Sequence, residues 1–211
     1  MGLLSKLTWG GKSAFGAEEF WTWFQSAEGQ QTLSTALSES PSASSAVAKI
    51  GKMVRQVNSE LAWGMGIGAD QVRSFEVSAG GIRKNIPAVQ DFVTAAPQMD
   101  GWKIVAFKQP TADFSVKLAA SGESIDATTV QVAPSPNREG LIDLKVYVPT
   151  PAGCPPNTVA ELGFIFLDHI LGEYLVMTRL GELSFESTLV APPGVIPLSE
   201  FAAQLADASN A

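Results

Sequence analysis

Between Arg73 and Lys108 the apolar positions change period twice. Phe75, Val77 and Ala79 alternate with Ser74, Glu76 and Ser78, the period of two of a strand with one buried face. Beyond Gly80-Gly81, the residues Ile82, Ile86, Val89, Val93 and Ala96 fall on one helical stripe, which Phe92 widens. Pro87 sits early, where a missing N–H harms a helix least, and Pro97 closes the segment. From Trp102 to Phe107 the run Ile104, Val105, Ala106, Phe107 has no polar alternation, which predicts a strand covered on both faces and central in its sheet. The two strands could pair in parallel with a right-handed crossover, and a strand order that skips a position fits the pattern equally well.

The same periodicities organise the rest of the chain. A first helix begins near Ala17, with Glu18 and Glu19 in its first turn and Phe20, Trp23, Phe24 and Ala27 on one face. Trp21 lies off that stripe, where packing is the commoner fate of a tryptophan than exposure. A serine-rich loop over 38–45 leads to a second helix whose seam is Val47, Ile50, Val54, Val57 and Leu61. Its other side carries Lys49, Lys52 and Arg55, read as a solvated face. Ala62 to Gly68 spells AWGMGIG. Its G-x-G-x-G spacing is not that of a dinucleotide loop and no helix follows, so it predicts a hairpin strand burying Trp63, Met65 and Ile67.

Downstream, Phe114, Val116, Leu118 and Ala120 predict an edge strand, Val130 and Val132 a short one, and Ile142, Leu144, Val146 and Val148 a strongly amphipathic one. A helix from about Asn157 to Leu171 is apolar nearly all round and should be largely buried, with Gly172 ending it. Tyr174–Arg179 and Glu182–Thr188 read as a hairpin, and Leu198–Leu205 as a short helix in a modestly ordered end. The predicted fold class is α+β: a single mixed, mainly antiparallel sheet with helices packed on one face and two N-terminal helices. The predicted organisation is a loose lead-in over 1–16, one domain over 17–190 with the helical pair at 17–60, and a C-terminal tail over 191–211.

Composition narrows the functions. The 211 residues carry 14 Lys and Arg against 21 Asp and Glu, a formal charge of −7, and the longest basic run is Arg83-Lys84, which disfavours phosphate-directed nucleic-acid binding. One cysteine, Cys154, and one histidine exclude an internal disulfide and a Cys/His zinc site. Met1 to Leu7 lacks a signal-peptide core, Lys6 stands where a myristoylation motif wants Ser or Thr, and no apolar run reaches spanning length. These features lead to the expectation of a cytoplasmic protein outside the membrane.

Phe20-Trp21 and Trp23-Phe24, then Phe75-x-Val77-Ser78-Ala79-x-Gly81, Ala95-Ala96-Pro97, Gly101-Trp102, Ala106-Phe107, Leu167-Asp168 and Leu171-Gly172-Glu173 together span most of the chain. On these pieces the sequence resembles a family of uncharacterised bacterial proteins. The resemblance implies a bacterial, cytoplasmic setting and carries no activity onto any residue.

Two clusters could hold chemistry. Asp168, His169 and Glu173 close the apolar helix. His169 and Glu173 are four apart, so a carboxylate-oriented histidine could act as general base, or the pair as metal ligands. A lone helical histidine beside carboxylates is more often structural, and metal sites want more donors. The second cluster is Ser78, Gly80, Gly81, Arg83 and Lys84, where free N–H groups, two glycines and two cations could hold a phosphate or carboxylate. It lacks the Gly-Lys-Ser/Thr signature of a nucleotide loop. A triad on His169 with a serine or Cys154 has no elbow motif to support it. The tryptophans Trp9, Trp21, Trp23, Trp63 and Trp102 could line a groove, although core packing is their default.

The resulting expectation is a non-enzymatic binding protein that engages a basic protein partner or a small ligand, as in toxin neutralisation. The alternative is a hydrolase or metal-dependent enzyme using Asp168, His169 and Glu173. No cofactor is implied, and the N-terminal helices offer a surface for homo-oligomer formation.

Overall fold

The computed structural model describes residues 15–209 apart from 69, 112, 121 and 191, so the reading of 1–14 as a lead-in, with Trp9, lies outside the described residues. The fold is α+β. Instead of one sheet, the described residues form three: β1 (Ala62–Ile67), β2 (Arg73–Ser78) and β3 (Trp102–Ala106) in that order; β4 (Lys117–Ala120) with β5 (Glu123–Asp126); and a four-stranded sheet ordered β8-β7-β6-β9. The last is built from β6 (Gln131–Pro136), β7 (Ile142–Val148), β8 (Leu180–Ser187) and β9 (Ile196–Pro197). Periodicity predicts strands well, yet it is silent on which strands share a ladder.

Among the described residues, three N-terminal helices stand where two were expected: α1 (Ala17–Gln25), α2 (Ala27–Ala36) and α3 (Ala43–Val57). Ser26 splits the first, because its extended backbone ends α1 while its hydroxyl accepts from Gly29 N–H and starts α2. After β2, a 3-10 turn over Arg83–Asn85 leads into α4 (Ile86–Thr94), with Pro87 in its first turn.

Phe75 and Val77 point from β2 into a first hydrophobic cluster made with α1, α3 and α4. Here Trp21 is buried and donates its indole N–H to Phe92 O at 2.7 Å. Ile86 and Val93 pack on the same cluster. β2 and β3 are parallel neighbours, with Phe75 opposite Ile104 and Val77 opposite Ala106. β3 nevertheless lies at the rim of its sheet, and Ile104, Val105 and Ala106 are only half-buried, against the prediction of a central, doubly covered strand. An unbroken apolar run does not distinguish burial on both faces from half-burial on each.

The second cluster joins β6 and β7 to α5 (Pro156–Leu171) and α7 (Leu198–Ser209). Leu198, Phe201 and Leu205 are core residues, so the C-terminal segment is integral to this half. Between α5 and β8 stands α6 (Glu173–Arg179), a helix where a strand was predicted. Its buried positions, Glu173, Val176 and Met177, follow a helical spacing of three to four that is too short a pattern to read in seven residues. Val176 belongs to the second cluster and Met177 to the first.

Candidate functional site

A cavity of about 440 Å3 opens where the two clusters meet. Ala62, Ser78, Gly80, Gly81, Arg83 and Lys108 form one wall, and α5, α6 and the start of β8 form the other. The sheet supplies the first wall by its pleat. Phe75 and Val77 face the core, so Ser74, Glu76 and Ser78 face the other way, opposite Gly66, Gly64 and Ala62 of β1.

Ser78 and Gly81, two of the residues read as a possible anion cradle, donate to a carboxylate of the chain itself. Glu173, with 0% of its surface exposed, accepts from Ser78 Oγ at 2.9 Å, from Gly81 N–H at 3.0 Å and from Lys108 N–H at 3.1 Å. Its own N–H donates to Lys108 O at 2.9 Å. Three donors meeting one carboxylate offset much of the desolvation that burying such a group entails. The geometry depends on Gly172, whose φ of 81° and ψ of 141° few other residues adopt. Gly172 breaks the register between α5 and α6, so Glu173 turns inward instead of stacking one turn beyond His169.

The Asp168, His169 and Glu173 cluster is therefore dispersed. His169 Nε2 lies 3.2 Å from Asp113 O. Asp168 pairs with Lys108 Nζ at 2.8 Å, and Glu173 is committed to Ser78, Gly81 and Lys108. The relation assumed between residues four apart holds only within one unbroken helix. Among the described residues, no group of three or more His, Cys, Asp or Glu side chains is placed to hold a metal ion. Of the second cluster, Ser78, Gly80, Gly81 and Arg83 line the cavity. Arg83 is engaged by its Nε with Met177 O at 2.6 Å and by Nη2 with Leu180 O at 3.0 Å, which ties the end of α6 to the first half. Lys84 leaves the site and pairs with Glu60 at 2.8 Å.

The electrostatics centre on Lys108 among three carboxylates, Glu76, Asp168 and Glu173. Burial holds Asp168 above its ordinary value against the pull of Lys108, and Glu173 adds to the rise. Glu76 is raised first by burial and then by the charge of Glu173. Burial alone would lower Lys108, but its bond to Asp168 and the charges of Asp168, Glu173 and Glu76 outweigh it, so its ammonium is held above the ordinary range. The ion pair thus favours the charged lysine more clearly than the charged aspartate, as expected where carboxylates outnumber cations.

Sequence reasoning missed Lys108, Glu76 and the apolar wall. Phe164 and Ile165 of α5, expected inside, are 45% and 47% exposed at the cavity. A helix apolar all round but with only one packed side must show the rest to solvent or to something else, and that was the available signal. Compared with models of known protein families, with curated proteins and with solved structures, the chain matches none of them.

Proposed function

We propose that this protein works by binding rather than by catalysis, and that the cavity between its halves receives an apolar group of a positively charged partner. The observation that carries the reading is the pairing of an exposed apolar wall, Phe164 and Ile165, with a polar wall whose groups are already spent. Lys108 holds Asp168, Arg83 holds two carbonyls, and Ser78 holds Glu173, so these polar groups are engaged within the chain and what the cavity offers a guest is shape and hydrophobic surface. Even counting Arg83, the three carboxylates Glu76, Asp168 and Glu173 outnumber the two cations nearby. The chain as a whole is at −7, which favours a basic partner over an acidic one.

The test uses a fluorescent apolar probe, 8-anilinonaphthalene-1-sulfonate, on the native protein and on Phe164→Ser/Ile165→Ser. The native protein should bind it with a blue-shifted emission, and the double variant should lose most of that signal while keeping its near-UV circular dichroism. Equal binding by both would overturn the assignment of the cavity. A stoichiometric metal ion in the purified protein, together with a hydrolytic activity abolished by His169→Ala, would overturn the non-catalytic reading.

A further inference from the structure

The second wall of the cavity ends in an unpaired strand. β8 runs for eight residues at the outer edge of the four-stranded sheet, parallel to β7, and no described strand pairs with its far side. Such an edge offers a row of N–H and C=O groups to any extended chain. Natural edges are usually blunted by proline, a bulge or inward charges. Over Gly181–Ser187 this edge has no proline, and its irregularity is confined to the start, opposite Ile142 to Leu144. On one face of β8, Leu183 and Phe185 are partly buried against the core, and the Phe164 and Phe185 rings lie 4.6 Å apart. Glu182, Ser184 and Glu186 occupy the exposed positions between them. On α5 the exposed Glu161 and Ile165 lie four apart on one stripe, and Asp168, three further on, is half-buried and paired with Lys108.

We infer that the outer edge of β8 pairs with an extended, lysine- or arginine-bearing peptide segment of a partner protein, which adds a fifth strand to this sheet. The inference rests on the binding reading above and names its partner and its mode. Backbone pairing along Gly181–Ser187 supplies the main contact. Apolar side chains of the peptide, which alternate along a strand, turn toward Phe164 and Ile165, and an intervening basic one meets Glu182, since Glu186 is already paired with Lys145 at 2.6 Å. A second copy of this chain is a poorer occupant, because two bodies at −7 repel and the acidic edge would face itself.

The probe is a labelled octapeptide of four Lys-Val repeats, compared with four Glu-Val repeats and with a Lys-Val analogue N-methylated at every second amide on its pairing edge. Fluorescence anisotropy should show the Lys-Val peptide binding the native protein at least tenfold more tightly than either control, and Glu182→Lys should weaken it several-fold. Hydrogen exchange of the complex should slow at the amides of 181–187. Undiminished binding of the N-methylated analogue, no protection at 181–187, or no binding of the Lys-Val peptide would each overturn the inference. So would a dimer whose formation protects the same amides. Loss of Lys-Val binding in Phe164→Ser/Ile165→Ser with full tolerance of N-methylation would sink edge pairing and leave the cavity reading standing. Retained, methylation-sensitive binding in that double variant would do the reverse.

Discussion

Ser78 Oγ lies 2.9 Å from Glu173 Oε1, a hydrogen bond between residues 95 apart in sequence that joins the end of β2 to the start of α6. Ser78 also accepts from Gly80 N–H at 3.0 Å, so the hydroxyl orients the glycine turn and the carboxylate together. Glu173→Gln places an amide N–H₂ against donors and strands at least one of them in the interior. It should cost about 2–4 kcal/mol in urea unfolding. Ser78→Ala should cost about 1–2 kcal/mol, and the two changes combined should cost less than their sum. Strict additivity in that double-mutant cycle would show the pair to be uncoupled.

Gly172→Ala should destabilise by about 2–4 kcal/mol, from a backbone conformation that L residues avoid and from a Cβ that would sit 2.7 Å from Pro110 Cδ. Thermal unfolding checks the size. A stability unchanged within a few tenths of a kcal/mol would mean that α5 and α6 can rejoin as one helix.

Glu76→Gln should stabilise the protein at neutral pH, by less than about 1 kcal/mol given its partial exposure. The sign follows from its raised folded value. The folded state holds this proton more tightly than the unfolded chain, so ionising Glu76 costs stability as pH rises from the ordinary 4.5 through the raised value. The gain from the variant should therefore vanish below about pH 4, where both side chains are neutral. A gain that persists into acid would assign it to packing.

Lys108→Met should show the complementary profile. Removing this cation leaves Asp168, Glu76 and Glu173 to repel one another, so its cost should grow as pH rises from 4 to 7. Because Lys108 is held above its ordinary 10.5, its contribution is complete at neutral pH and fades only beyond that value. The lysine is about half exposed and the neutral-pH cost should stay near 1 kcal/mol. Denaturant midpoints at three pH values test this, and a pH-independent cost would refute the cluster's electrostatics.

His169→Ala should change stability by no more than about 0.5–1 kcal/mol, since the ring's hydrogen bond is to the exposed Asp113 O. A larger loss in thermal unfolding would give His169 a role its surroundings do not explain.

The elements that depend on local periodicity were legible in the sequence: β2, α4, β7 and α5 lie where the apolar spacings put them. So were the hydrogen-bond donors at Ser78 and Gly81, because glycines and a hydroxyl before a helix are a local signal. The carboxylate that occupies that corner was not legible. Glu173 reaches it only because Gly172 redirects the chain, and nothing in the spacing of His169 and Glu173 announces a break between them. α6 was hidden for a related reason, since seven residues beginning at a buried carboxylate show too little period to separate helix from strand. The partition into three sheets rests on long-range pairing, on which the alternation of Phe75 or Leu144 bears no mark.

Val176 and Met177 are adjacent in the chain and buried in different cores, and Glu173 and Arg83 pin the two ends of the short helix that carries them. Turning that helix to widen the cavity would pull one of the two side chains out of its packing. The protein should accordingly behave as a stiff receptor that sorts guests by shape and charge without closing over them. Heat should melt its two halves in a single step.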